Sequence, residues 1–245
     1  MHTVSLSSAS VSPIQMPMTA DFDAFIAPPC HEKITVIWQD EHLLVIGKPA
    51  GLLSLSGKNP QNSDSVHYRL LQRYPGCSLV HRLDFGTSGL MIIARNKAIN
   101  AALSAQFSTR RVEKTYTALL CGHLPCDEGV IDAPIAKDPA HFPLMSACPV
   151  KGKPARSRYQ VTARLCPPEG PPLTRVMLMP ETGRTHQLRL HCQLLGYPIL
   201  GCDFYGGRQL PGTEEAPRLM LHASGIRFVH PVSQQPLHLQ LPAPF

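Results

Sequence analysis

Residues 81–93 read His81-Arg82-Leu83-Asp84-Phe85-Gly86-Thr87-Ser88-Gly89-Leu90-Met91-Ile92-Ile93. The apolar residues that close this stretch predict a strand over 90–95. Buried as a strand, they would hold the preceding turn of small residues rigidly, so Asp84 reads as a placed group. Its bulky neighbours Leu83 and Phe85 strip water from the carboxyl and raise its pKa, while the adjacent guanidinium of Arg82 offsets that and keeps it ionised. A carboxylate held this way can be a nucleophile or a base. It can equally do no more than accept backbone hydrogen bonds, since aspartate is common in turns.

Around this stretch the pattern is mostly strand. Residues 34–39 and 42–48 are β-prone and separated by Asp40-Glu41, which predicts a hairpin. Lys48-Pro49-Ala50-Gly51 breaks the pattern, and Ser63 or Asp64 can cap a helix to about Tyr74 with Val66, Leu70 and Tyr74 on one face. Asn96 is a cap for a second helix, running through about Arg110. Residues 114–121 alternate as a strand, and 124–154 carry six prolines and read as loop. Further strands fall at 156–165, 173–179, 226–230 and 237–241. A third helix over 185–195 places Leu188, Cys192 and Leu195 on one side, with Gly196 to end it. Regular β-α-β alternation is absent. The prediction is an α+β fold, a mostly antiparallel mixed central sheet flanked by helices and loops. It forms one domain over 31–245, and residues 1–30, rich in Ser, Pro and Ala, form a flexible tail.

A chain of 245 residues can bury a sizeable core, and its apolar runs are too short to cross a bilayer. Lys33 is the first Lys or Arg, so neither a secretory signal nor a transit peptide fits. The eight cysteines contain no Cys-x-x-Cys pair and read as reduced thiols of a cytoplasmic protein. Around Cys121, His123 and Cys126 the spacing comes nearest to a metal site, but a second pair of ligands is missing, so no metal is expected. The formal charge is +6 and unevenly placed. Lys151, Lys153, Arg156, Arg158, Arg164, Arg175, Arg184 and Arg189 face only Glu169 and Glu181 between residues 147 and 190. Such a face suits a polyanion, RNA above all; the plainer alternative is a solvated surface.

Two further segments carry candidate chemistry. In residues 180–191, Arg184, His186 and Arg189 open the third predicted helix, and 186 and 189 share a face. An arginine there can pin a carboxylate bidentately, which a lysine does less rigidly; the alternative is an ordinary surface arginine. His186 and His191 have no Glu between them, which excludes a His-Glu-x-x-His metalloprotease helix. Tyr116, on the strand that begins near Lys114, can offer its ring to an extruded base or simply fill the core. Phosphate-loop, nucleophile-elbow and nucleotide-cofactor fingerprints are all absent.

His-Arg-Leu-Asp, two variable residues, then Thr-Ser-Gly at 81–89 resembles the catalytic signature of the RluA-type pseudouridine synthases, which convert selected uridines in RNA to pseudouridine. The resemblance runs over most of 34–243. Residues 39–52 resemble that family's first motif, 114–122 the motif holding its active-site tyrosine, and 182–191 with 196–201 the segment whose arginine pairs with the aspartate. Leu219-Met220-Leu221-His222-Ala223 resembles its late Leu-His-Ala element. Two departures stand out: Gly47 replaces the usual Asn before Lys-Pro, and the Gly-Asp expected after Pro-Ile-Leu is Gly201-Cys202, with an aspartate one step later at Asp203. Neither is expected to touch the chemistry, but the second can alter local RNA contacts. About 33 residues before the first strand are too few for the S4-type domain of many members, so the likeness is to the compact branch with dual specificity.

The resemblance implies an enzyme that needs no cofactor, cleaving the N1–C1′ bond of uridine and joining C5 to C1′. Asp84 would be the nucleophile, or a base on the ribose. Tyr116 would stack on the flipped uracil and Arg189, or less favourably Arg184, would hold the carboxylate. Arg82 would fill the gap in the RNA. His81, Thr87, Lys114, Arg184, His186, Lys151, Lys153 and Arg156 are the remaining expected RNA contacts. The implied substrate is a stem-loop of 23S ribosomal RNA, of tRNA, or of both; separately, a monomer is expected. Two rivals differ in class: a metal-free nucleosidase, although most glycoside hydrolases need a second carboxylate, and a non-catalytic RNA-binding protein.

Overall fold

The computed structural model describes residues 25–168, 170–206 and 216–245. In chain order it forms β1 (Thr35–Gln39), β2 (Leu43–Lys48), α1 (Val66–Leu71), β3 (Ser78–Leu79), β4 (Ser88–Ala94) and α2 (Lys97–Ser108). Then come β5 (Glu113–Cys121), β6 (Glu128–Asp132), β7 (Ile135–Lys137), β8 (Met145–Ala147), β9 (Arg156–Leu165) and β10 (Leu173–Pro180). Helix α3 (Gln187–Leu194) and strands β11 (Leu221–Val229) and β12 (Pro236–Gln240) complete it. The chain divides into two units, Ile26–Thr117 with Leu221–Phe245, and Ala118–Met220 with Phe25. We call the first the discontinuous unit and the second the inserted unit.

In the discontinuous unit the strand order is β1-β2-β4-β11-β5, with β3 also on β4 and β12 also on β11. β1 and β2 form the predicted antiparallel hairpin. Asp40 makes its turn, accepting from the N–H groups of His42 and Leu43 at 2.8 Å each. β2 and β4 are buried at every residue, and alternate side chains serve two cores. Leu43, Val45, Leu90 and Ile92 pack with Ile99 and Leu103 of α2 and Phe228 of β11. Leu44, Ile46, Met91 and Ile93 pack with Val66 and Leu70 of α1 and with Leu83. A strand covered on both faces has no polar side to show, which is why its sequence is an unbroken apolar run. β4 and β11 are parallel, with His222 opposite Ser88 and Ala223 opposite Gly89. Gly89 lies at φ +114, and a Cβ there would stand 2.4 Å from the Ala223 carbonyl oxygen.

The inserted unit has the order β5-β10-β9-β6 and a separate β7-β8 pair. β9 alternates, turning Ser157 and Tyr159 inward and Arg156, Arg158, Gln160, Thr162 and Arg164 outward. Buried beneath lies α3, whose Gln187, Leu188, Arg189, Leu190, His191 and Cys192 are all inside. The fold is therefore α+β with a mostly antiparallel sheet, as predicted.

Several boundaries differ, each for a local reason. Ser65 caps α1, accepting from Tyr68 N–H at 3.1 Å, because Asp64 is taken up by Arg69 at 2.7 and 2.6 Å. α3 starts two residues late because His186 stands in the left-handed region at φ 54. The segment read as loop over 124–154 contains β6, β7 and β8, with Pro134, Pro139, Pro143, Pro149 and Pro154 between or beyond them. β11 begins five residues early, where Leu221-His222-Ala223-Ser224-Gly225 carries little strand signal of its own. Of the tail expected over 1–30, residues 1–24 lie outside the described residues. Residues 25–30 have neither helix nor strand but are anchored: Ala27 N–H donates to Asn62 at 2.7 Å, and Arg69 donates to the carbonyl oxygens of Cys30 and Glu32.

Candidate active site

Asp84 lies half-buried in the turn that leads into β4. The backbone on either side of it is fixed. Ser54 Oγ donates to the Leu83 carbonyl at 2.7 Å and sits 3.2 Å from Leu83 N–H. The Asp84 carbonyl accepts from Thr87 N–H at 3.1 Å. The Phe85 carbonyl accepts from Gly51 N–H at 3.0 Å and from Lys48 Nζ at 3.1 Å. Lys48 is only 2 % exposed and also donates to the carbonyls of Pro49 and Leu52, at 2.9 and 2.7 Å. This buried ammonium, clamping the Asp84 turn, is a site residue that sequence reasoning missed. The signal was a lysine ending an otherwise apolar strand.

Tyr116 of β5 packs at the edge of the core formed by Leu83, Met91 and Ala223. Burial raises the pKa of its phenol, and the negative charge of Asp84 raises it further. The hydroxyl therefore stays protonated at neutral pH, close enough to feel the carboxylate. The remaining residues of the motif divide by exposure. Arg82 is exposed. Thr87 is buried at 2 % exposure. His81 accepts from Ile92 N–H at 3.0 Å through Nε2 and stacks on Phe107 at 4.7 Å between ring centroids. Burial, with the charge of Lys114 adding to it, lowers its pKa to about 3. Lys114 is itself lowered by burial. The contacts of Thr87 and His81 are thus structural, and Arg82 is the group of this motif that faces outward.

In the inserted unit the predicted residues gather around α3. Gln187 holds the entry loop, accepting from Thr182 Oγ at 2.7 Å and from Arg184 N–H at 3.0 Å. Arg184 donates through Nε to the Pro154 carbonyl at 3.1 Å. His186 Nδ1 lies 2.9 Å from Tyr205 Oη. Arg189 is 4 % exposed, donates through Nε to Cys202 Sγ at 3.3 Å and forms an ion pair with Asp203. The expectation that the Cys202 departure stands clear of the proposed chemistry is therefore wrong: Cys202 and Asp203 both touch the arginine assigned to it. Lys151, Lys153 and Arg156 are exposed, and Arg156 lies 3.6 Å from Glu181. Among the described residues, no three His, Cys, Asp or Glu side chains gather as a metal site requires, and no helix is long and apolar enough to cross a membrane. All eight cysteines are free thiols.

The model of the family described as RNA pseudouridylate synthase matches residues 42–194, a span holding Lys48, Asp84, Tyr116 and Arg189. This chain belongs to the RNA pseudouridylate synthase family. Among curated relatives, the dual-specificity RNA pseudouridine synthase RluA of Vibrio vulnificus is 42% identical over 89% of this chain and 86% of its own length. The Yersinia pestis protein of the same name is also 42% identical, over 86% of this chain and 99% of its own length. Among solved structures, human RNA pseudouridylate synthase domain containing 1 superposes with a TM-score of 0.73 at 31% identity, covering 89% of this chain and 86% of that one. As a pseudouridine synthase the chain is an isomerase acting on uridine in RNA.

Proposed function

We propose that this synthase modifies uridines in stem-loops, in 23S ribosomal RNA, a tRNA anticodon arm, or both, acting as a cytoplasmic monomer through one catalytic domain. The near-full-length similarity to relatives named as dual-specificity enzymes supports the substrate range. The observation that carries the mechanism is the fixed turn of Asp84, with Tyr116 packed against the core that Leu83 of that turn enters.

The uridine leaves its stack, and Arg82, exposed beside the turn, fills the vacated place. Tyr116 stacks on the uracil; its phenol, held neutral, offers a ring face and an O–H donor and does not act as a base. Asp84 acts as a nucleophile or as a base on the ribose. The N1–C1′ bond breaks, C5 joins C1′, C5 releases a proton and N1 gains one, so atoms and charge balance. Arg189 is the cation assigned to the reacting carboxylate, and a turn held by Lys48, Ser54 and Gly51 spends little reorganisation in reaching the transition state.

The test is turnover on purified 23S ribosomal RNA fragments and tRNA anticodon stem-loops, with pseudouridine mapped base by base. Wild-type protein is expected to convert discrete uridines. Asp84→Asn is expected to bind the same RNA with unchanged affinity and to convert none. Turnover by Asp84→Asn, or release of free uracil by the wild type, would overturn the assignment.

A further inference from the structure

Arg189 projects from α3 with its side chain only 5 % exposed, and a guanidinium that deep is held by its partners or not at all. Four consecutive residues meet it. Cys202 Sγ accepts from Nε at 3.3 Å, and Asp203 Oδ1 pairs with a terminal nitrogen. The rings of Phe204 and Tyr205 lie 5.0 and 5.5 Å from the guanidinium carbon. Tyr205 is fixed in turn, its hydroxyl accepting from Met145 N–H at 2.8 Å and lying 2.9 Å from His186 Nδ1.

Among these four residues only Asp203 carries charge. Its side chain is 71 % exposed, yet it is not a loosely held surface group, because Oδ1 also accepts from Phe204 N–H at 2.9 Å. An open carboxylate is a liability in a unit that must approach a polyanion: it repels phosphate. Its compensation lies in what it does to the arginine. An acceptor fixed on one terminal nitrogen, with thiol sulfur on Nε and aromatic rings beside the plane, leaves the guanidinium little freedom to rotate.

We propose that Asp203 is a positioning residue for the isomerisation, orienting Arg189 at the expense of RNA affinity. The inference rests on the role assigned to Arg189 above. It separates two quantities that a loss of structure would move together. Without the carboxylate, the chemical step slows because Arg189 turns, while RNA binding stays the same or tightens because a negative charge has gone.

The experiment is steady-state kinetics of wild type, Asp203→Asn and Asp203→Glu on a stem-loop RNA, with Asp138→Asn as a control for loss of a negative charge elsewhere. Asp203→Asn is expected to lose about tenfold or more in kcat, with KM unchanged or lower. Asp203→Glu is expected to recover most of that loss, and Asp138→Asn to behave as wild type. A kcat for Asp203→Asn within about twofold of wild type, a rise in KM that accounts for the loss, or an unfolded variant would each refute the positioning role. Absence of wild-type turnover would instead refute the functional reading itself, so the two failures are distinguishable.

Discussion

His81, three residues before Asp84, makes the contacts of a scaffold residue. A backbone N–H donates to its Nε2, so the ring is neutral with its proton on Nδ1, and its stacking on Phe107 leaves little water to stabilise a charge. The native pKa of about 3 lies below the ordinary value of 6.5. Between those values the unfolded chain binds a proton that the native protein refuses, so stability rises with pH across that window and is lost as pH falls toward 3. His81→Gln keeps an acceptor for Ile92 N–H and removes the titration. The melting temperature of wild type is expected to drop between about pH 7.5 and about pH 5, and that of His81→Gln to drop less. Parallel curves would show that another group carries the acid sensitivity. Lys48 is the opposite case, a charge kept inside. Lys48→Met keeps most of the apolar side chain but strips three carbonyls of a donor, Phe85 alone keeping another in Gly51 N–H, at about 1–3 kcal/mol for each group left unsatisfied. Both a lower melting temperature and a lower kcat are expected, because the Phe85 carbonyl is one residue from Asp84. A full kcat in the folded variant would mean that the turn is held without the lysine.

The parallel contact of β4 with β11 depends on one missing Cβ. Gly89 combines φ +114 with an approach in which an added carbon would meet the nitrogen and carbonyl oxygen of Ala223 at 2.5 and 2.4 Å. Both atoms are backbone, so neither can swing aside. Gly89→Ala is expected to be among the most destabilising single substitutions in the discontinuous unit, with its effect seen as reduced hydrogen-exchange protection along β4 and β11. Wild-type protection there would show that the strands tolerate separation. The same pair marks the boundary of what could be read from sequence. β2 and β4 were legible because burial on both faces writes an apolar run, and α2 because Asn96 accepts from Ile99 N–H at 3.0 Å as a cap should. The start of β11 was not. Residues 221–225 are Leu, His, Ala, Ser and Gly, and their strand geometry comes from their neighbour β4, not from their own propensity. In the candidate site, the placement of Tyr116 against the turn of Asp84 was legible through spacing and resemblance. The hold of Asp203 on Arg189 was not, because an ion pair across 14 residues obeys no period.

Net charge of +6 acts through where the charges lie. In the inserted unit β9 directs Arg156, Arg158 and Arg164 outward, and Lys151 and Lys153 precede it on an exposed turn. Their availability to RNA differs. Arg164 is engaged by Asp127 at 2.8 Å and by the Leu124 carbonyl at 2.9 Å, and Arg156 has Glu181 within 3.6 Å. Among the described residues, no carboxylate pairs with either lysine or with Arg158, so their charge is the cheapest to redirect toward phosphate. Each phosphate neutralised releases condensed counterions, which makes the contribution measurable as a salt slope independent of any chemistry. Replacing Lys151 and Lys153 with Glu is expected to weaken stem-loop binding. The slope of log affinity against log salt should flatten by about 0.7–0.9 for each phosphate no longer neutralised. At saturating RNA, kcat should stay at the wild-type value, since both lysines are exposed and neither is assigned a part in the chemistry. An unchanged slope would remove this turn from the RNA-binding surface and leave the exposed arginines of β9 to carry it. A lower kcat with an unchanged slope would assign the lysines to the catalytic step, contrary to the division of labour that their exposure implies.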